Sequence, residues 1–150
     1  MANKIFFLIR IVIGLIFVVS GGEKALSPVE NFVYVIQGYE LLPDVLARLA
    51  AHVFPWLEFL IGLFMLLGLW MDWTLKALML VSASFILMVG QAILRHLPLD
   101  NCGCFGSLIH LPLKGVIVLD SCILLSAIAS LKNVDKARWL SLDVLYTKKT

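Results

Sequence analysis

The chain has 150 residues, of which 61% are hydrophobic and only 15% are charged. This composition excludes an ordinary soluble domain and indicates a single polytopic membrane domain. A net charge of +2 is too small for a nucleic-acid-binding surface, and the sequence has no phosphate-binding glycine pattern.

Four apolar runs are each long enough to cross a bilayer as a helix. They predict an all-α membrane protein, a four-transmembrane-helix bundle that occupies residues 1–131. Beyond the last run, basic residues predict a cytoplasmic tail over residues 132–150. The predicted spans cover about residues 5–26, 49–70, 73–95 and 112–131.

The first apolar run carries Arg10 and ends near Gly21 and Gly22. An arginine within the apolar region argues against a cleaved signal peptide, so we expect a retained helix. The acidic connection that follows contains the apolar stretch from Pro28 to Ile36, which predicts a short amphipathic helix between helices 1 and 2. Further on, Met71-Asp72-Trp73 is predicted to form a tight hairpin between the second and third spans.

Four spans place both termini on the same side of the membrane. If that side is the cytoplasm, the inner segments hold Lys4, Lys76 and the basic residues of the tail. The outer segments then hold Lys24, Arg48, Arg95 and Lys114. The excess of inner charge predicts cytoplasmic termini and a periplasmic segment between the last two spans.

That last polar segment contains Cys102-Gly103-Cys104-Phe105-Gly106. Two thiols separated by one residue form a disulfide only across a sharp turn, which Gly103 permits because glycine adopts positive φ without steric cost. A disulfide closed over so short a loop is expected to be strained, and strained, exposed disulfides exchange readily. Cys102 and Cys104 are therefore predicted to form a redox pair.

Two alternatives remain open for the thiol segment. His96 and His110 flank Cys102 and Cys104 symmetrically, and two imidazoles with two thiolates are a possible ligand set for zinc or copper. The second alternative is a membrane scaffold whose disulfide only braces a loop. The third cysteine, Cys122, is interpreted as an apolar filler, with a resolving thiol as the alternative.

Three ionisable residues interrupt the apolar runs: Arg10, Glu58 and Asp120. Charged groups within a membrane usually face the bundle interior and pair with one another. Asp120 lies roughly 12 Å below the start of its helix, and the other two lie at similar depths, so all three are expected to meet in one layer. One arginine facing two acids leaves an excess negative charge, and this predicts a proton-handling or carrier-binding site. An ion pair that only fixes helix register is the alternative.

Residues along most of the chain resemble the MauE branch of the DoxX-like membrane proteins. The resemblance covers about residues 5–131, and the Cys102–Gly106 motif is its most specific part. In the fourth span the family often has a basic residue just before the acid, where this chain has Leu119. The other matching positions are Arg10, Gly14, Phe17, Ser20, Gly21, Lys24, Leu42, Pro43, Leu57, Glu58, Gly62 and Asp120.

The resemblance implies a four-helix protein of the bacterial inner membrane with Cys102 and Cys104 as its redox pair. The methylamine-utilisation member is implicated in maturing a disulfide-rich periplasmic dehydrogenase subunit together with a thioredoxin-like partner. The function predicted for this chain is thus thiol–disulfide exchange with a periplasmic thioredoxin-like protein, with a quinone as the conjectured membrane carrier. Whether the chain is itself an oxidoreductase or an accessory factor of one is left open, as is its oligomeric state.

Overall fold

A computed structural model of the chain describes residues 2–97 and 112–134. Within these ranges helices are the only regular secondary structure, and four of them are long and apolar enough to cross a membrane. A fifth, short helix lies between the first two of them. The all-α, four-span prediction is confirmed. The helices are α1 (Ala2–Leu26), α2 (Val29–Gly38), α3 (Asp44–Leu67), α4 (Met71–Leu94) and α5 (Leu113–Lys132).

Two helix starts differ from the sequence-based expectation. The second long helix, α3, begins at Asp44, five residues before the expected start at residue 49, because Pro43 holds an extended N-cap conformation (φ −63°, ψ 155°). The turn before α4 also lies earlier than expected. Its left-handed residues are Gly68 (φ 67°) and Trp70 (φ 44°), and Met71 already begins the helix.

The long helices form two pairs, with α1 packed on α3 and α4 packed on α5. Close approach within the first pair depends on glycine. A Cβ atom on Gly62 would lie 2.6 Å from the backbone nitrogen of Val18, and one on Gly21 would lie 2.5 Å from that of Phe59. Small residues at such crossings let helix backbones touch, which favours association in a bilayer.

A hydrophobic core joins the two pairs at the end of the bundle where α1 begins. It includes Ile13 and Met65 from the first pair and Leu75, Leu78 and Ala127 from the second. Towards the other end of α1, the same seam between the pairs contains a mostly apolar cavity, whose wall also includes Ser20, Glu58 and Asp120. The core therefore fixes the pairs to each other at one end and leaves room for a site at the other.

The short helix α2 is amphipathic, as expected. Phe32, Val33 and Ile36 are buried and pack against Ala47 and Ala51 of α3. Helix α2 thereby covers the first turns of α3.

The connection from α2 to α3 is attached to the C-terminal end of α4. Gln91 Nε2 donates a hydrogen bond to the carbonyl oxygen of Tyr39 (2.8 Å), and Arg95 pairs with Glu40 at 3.2 Å. The Tyr39 side chain is buried, and this burial raises its pKa to about 12. Since Arg95 is the C-cap of α4, these contacts hold the point from which the chain continues into residues 98–111.

Candidate functional site

The centre of the candidate site is an ion pair between Lys24 of α1 and Glu58 of α3. Lys24 Nζ lies 2.8 Å from Glu58 Oε2 and 3.1 Å from Oε1. Ser20 donates a hydrogen bond to Glu58 Oε2 at 3.2 Å and accepts one from Lys24 Nζ at 3.2 Å. All three side chains are buried. Because Ser20 and Lys24 are four residues apart, they share one face of α1 and hold the same carboxylate.

The close packing of α1 on α3 explains why this pair can form. Glu58 and Gly62 lie one turn apart on α3, and the Cβ atom of Glu58 is 3.0 Å from the position that a Cβ on Gly21 would take. Gly21 therefore brings α1 close enough for Lys24 to reach Glu58 without leaving its own helix.

Asp120 of α5 faces the same region from the other helix pair. It is 7% exposed and lines a cavity of about 30 Å³ together with Glu58 and Ser20. Within residues 2–97 and 112–134, no hydrogen bond or ion pair reaches its carboxyl group, and Glu58 and Lys24 are the charged groups that act on it. The remaining cavity wall consists of Ile16, Phe17, Phe85, Val116, Leu119 and Ile123.

The cluster has one cation for two carboxyl groups. In a medium of low dielectric constant an excess negative charge is costly unless a proton or a hydrogen-bond donor neutralises it. Glu58 already accepts hydrogen bonds from Lys24 and Ser20. The group still available to a proton or a donor is therefore Asp120.

Arg10 lies in a different part of the molecule from the two carboxyl groups it was expected to meet. It is 2% exposed, and its guanidinium carbon is 5.2 Å from the centre of the Phe7 ring. Along α1 it is roughly 21 Å from Lys24. Gly14, one turn further along α1, faces Leu66 near the end of α3. The structure brings Glu58 and Asp120 together, with Lys24 in the position expected for Arg10.

Sequence reasoning missed Lys24 and Ser20 as site residues. Lys24 was counted among the charges of an outer segment because it follows two glycines near the end of an apolar run. The signal that identifies it is its spacing of four residues from Ser20 on a helix that continues to Leu26. A buried glutamate elsewhere in the membrane then needs a cation, and Lys24 is within reach.

The predicted redox motif, Cys102, Gly103, Cys104, Phe105 and Gly106, lies outside the described residues, and so does His110. His96 is described: it is exposed, lies two residues after the end of α4 and has a positive φ of 51°. No group of three potential metal ligands occurs among the described residues. Cys122 is exposed on α5, whereas Asp120 is buried, so the two side chains point in different directions as expected.

The fold and site define a multi-pass membrane protein with a buried, charged cluster between two helix pairs. Comparison with known families makes this more specific. Residues 2–132 match the family of methylamine utilisation protein MauE, so the chain belongs to the MauE family. The resemblance found in the sequence is confirmed.

A curated relative, methylamine utilization protein MauE of Paracoccus denitrificans, is 29% identical over 121 residues. The match covers 77% of this chain and 62% of the relative, so the chain spans less than two thirds of the relative's length. No solved structure matches the chain.

Proposed function

We propose that this MauE-family protein is a thiol–disulfide exchange component of the bacterial inner membrane. Cys102 and Cys104 are its redox pair, they face the periplasm, and a thioredoxin-like protein exchanges with them. We infer that the protein supports the maturation of periplasmic proteins; its Paracoccus relative is named a methylamine utilization protein. The Cys-Gly-Cys motif supports this proposal, because such a pair is suited to reversible exchange.

One structural observation carries the proposal. The chain enters residues 98–111 from the end of α4 and leaves them at Pro112, at the start of α5. Asp120 lies eight residues into α5, roughly 12 Å from that start. The thiol segment is thus attached to the end of α5 that is nearer to the buried carboxyl groups.

The exchange is balanced between the two proteins. A thiolate of the reduced pair attacks the partner's disulfide and forms a mixed disulfide, and one partner sulfur leaves as a thiolate. The second thiol of the pair then attacks the mixed disulfide, which releases the partner as a dithiol and leaves a Cys102–Cys104 disulfide. Two electrons pass to the partner, and the reverse sequence returns them.

The test traps the mixed disulfide. In a Cys122→Ser background, Cys104→Ser removes one thiol of the pair, so a covalent adduct between Cys102 and a thioredoxin-like protein is expected to accumulate in membranes. The adduct should be absent from Cys102→Ser/Cys104→Ser protein and should disappear on reduction. If no adduct forms and partner oxidation is unchanged in the double variant, the exchange proposal is wrong.

The reduction potential of the pair gives a second measurement. A reversible two-electron couple between about −120 and −270 mV is typical of exchange catalysts, whereas a structural disulfide lies below about −300 mV. Thiols that resist oxidation and retain stoichiometric zinc or copper, lost in His96→Ala, would instead support the metal-binding alternative.

A further inference from the structure

The two helix ends that border residues 98–111 belong to one hydrophobic cluster. The cluster includes Leu97, the last described residue before these positions, and Leu113, the first residue of α5 after them. The C-terminal end of α4 and the N-terminal end of α5 therefore pack together where the chain enters and leaves residues 98–111. The buried members that the two helices contribute are Val89, Ala92 and Val116.

A residue from a distant part of the chain, Tyr39, is also buried in this cluster. Tyr39 directly follows α2 and is 2% exposed. Its carbonyl oxygen accepts the hydrogen bond from Gln91 Nε2 at 2.8 Å, and the next residue, Glu40, pairs with Arg95 at 3.2 Å. We call these four residues the joint. The joint connects the end of α2 to the two helix ends from which the segment with the thiol pair extends.

The backbone turns sharply on both sides of the joint. Helix α4 ends in a Schellman motif, in which the amide of Leu97 donates to the carbonyl oxygen of Ala92 at 3.1 Å. The left-handed residue of such a motif is usually glycine, but here it is His96, with φ 51°. Glu40, at the end of α2, has φ 50°. Residues other than glycine keep this conformation where the surrounding contacts hold them, so packing at the joint fixes the direction in which the chain leaves α4.

We propose that the joint positions Cys102 and Cys104 for reaction with a protein partner, and that Tyr39 is its central positioning residue. This role rests on the proposed function. A folded partner can react only when its own thiols and the pair meet in one orientation, whereas a small thiol reagent can approach from many directions. Tyr39 acts through the two helix ends and does not touch the sulfur atoms in this role.

The first experiment measures the positions of the helix ends without thiol chemistry. Full-length protein with all three cysteines replaced by serine carries spin labels at Leu94→Cys and Lys114→Cys, two exposed positions on α4 and α5, and is placed in nanodiscs. Tyr39→Ala should broaden the distribution of distances between the labels, because it removes the ring that packs between the helix ends. Leu78→Ala is the matched control. Leu78 is 0% exposed in the core at the other end of the bundle, and its truncation should leave the distribution unchanged.

The second experiment measures the thiol reaction in a Cys122→Ser background. Reduced bacterial thioredoxin and dithiothreitol are each used to reduce the Cys102–Cys104 disulfide. In both reactions the reagent's dithiol becomes a disulfide, and the pair takes up two electrons and two protons. Tyr39→Ala should slow the reaction with thioredoxin by about tenfold to a hundredfold, the cost of misplacing a reacting group, and leave the reaction with dithiothreitol unchanged. Tyr39→Phe, which keeps the ring, and Leu78→Ala should both react with thioredoxin at the wild-type rate.

A milder variant makes the test independent of whether Tyr39→Ala folds. Gln91→Met removes the hydrogen bond to the Tyr39 carbonyl oxygen and should slow the thioredoxin reaction by a smaller factor. An unchanged distance distribution in Tyr39→Ala, or equal slowing by Leu78→Ala, would overturn the proposal. Equal slowing with thioredoxin and dithiothreitol would also overturn it, because the change would then lie in the disulfide itself.

Failure of the positioning role is distinct from failure of the exchange function. Equal thioredoxin rates in wild-type and Tyr39→Ala protein would overturn the positioning role alone. A wild-type pair that dithiothreitol reduces and thioredoxin does not would overturn the exchange function as well.

Discussion

At the scale of single residues, the interaction between Lys24 and Glu58 dominates the energetics of the site. Both groups are buried, and each satisfies the other, with Ser20 completing the set of hydrogen bonds. Burying two charged groups in a membrane protein costs desolvation energy, and their mutual attraction offsets this cost. The contribution of the pair to stability therefore depends on the presence of both partners. Removing one partner leaves a buried charge without its counter-ion.

Lys24→Met tests this dependence. The apolar substitute keeps the volume but leaves Glu58 with Ser20 as its hydrogen-bond donor, and we expect a loss of about 3–5 kcal/mol in the free energy of unfolding. Lys24→Met/Glu58→Met removes both charges and should recover most of that loss. The measurement is reversible unfolding in mixed micelles.

Arg95→Met is the matched control for Lys24→Met. Its partner, Glu40, and Arg95 itself are about half exposed, so breaking that pair should cost no more than about 1 kcal/mol. Equal losses in the two single variants, or a double variant no more stable than Lys24→Met, would mean that the buried pair contributes no specific coupling.

At the scale of helices, the contact between α1 and α3 sets the register on which the ion pair depends. A side chain on Gly62 would meet the backbone nitrogen of Val18 at 2.6 Å and the carbonyl oxygen of Gly14 at 2.8 Å. Backbone atoms of a packed helix cannot move aside as a flexible side chain can. The helices would have to separate, and the distance between Lys24 Nζ and the Glu58 carboxylate would increase.

Gly62→Ala is therefore expected to destabilise the protein by about 1–3 kcal/mol, the usual cost of overpacking. Gly90→Ala is the matched control because a Cβ at Gly90 has no atom within 4 Å. Alanine's higher helix propensity should make that variant neutral or stabilise it by up to about 1 kcal/mol. Reversible unfolding in mixed micelles measures both variants. If Gly62→Ala and Gly90→Ala change the free energy of unfolding with the same sign and by the same amount, the close-contact explanation is wrong.

How far the sequence predicts this structure depends on the range of the interactions. The length and composition of the apolar stretches are enough to predict the four spans and the short helix at Phe32, because a bilayer requires a certain length and apolar character of a helix. The partner of Glu58 was not predictable in this way. It depends on the relative shift of α1 along α3, which Gly21 and Gly62 determine through contacts between helices. The depth of each residue below its helix end suggested Arg10 as the partner of Glu58. An error of a few helical turns in that depth is enough to predict Arg10 instead of Lys24.

At the scale of the whole molecule, the structure changes the charge count that orients the protein in the membrane. Lys24 is buried in α1 and paired with Glu58, so it does not act as a free charge of an outer segment. The outer segments then retain Arg48, Arg95 and Lys114. The inner ones retain all their basic residues, namely Lys4, Lys76, Lys132, Lys136, Arg138, Lys148 and Lys149. In the proposed orientation, with both termini in the cytoplasm, the excess of basic residues on the inner side over the outer side is then larger.

Thiol labelling of spheroplasts tests this orientation. In a Cys122→Ser background, a membrane-impermeant maleimide should label Cys102 and Cys104 from outside once the pair is reduced. In a chain without these three cysteines, Thr150→Cys should react only after the membrane is permeabilised. The reversed pattern would place the thiol pair in the reducing cytoplasm, where disulfides rarely persist. Periplasmic exchange would then be excluded even if the pair proved redox-active, because its partner would have to be cytoplasmic.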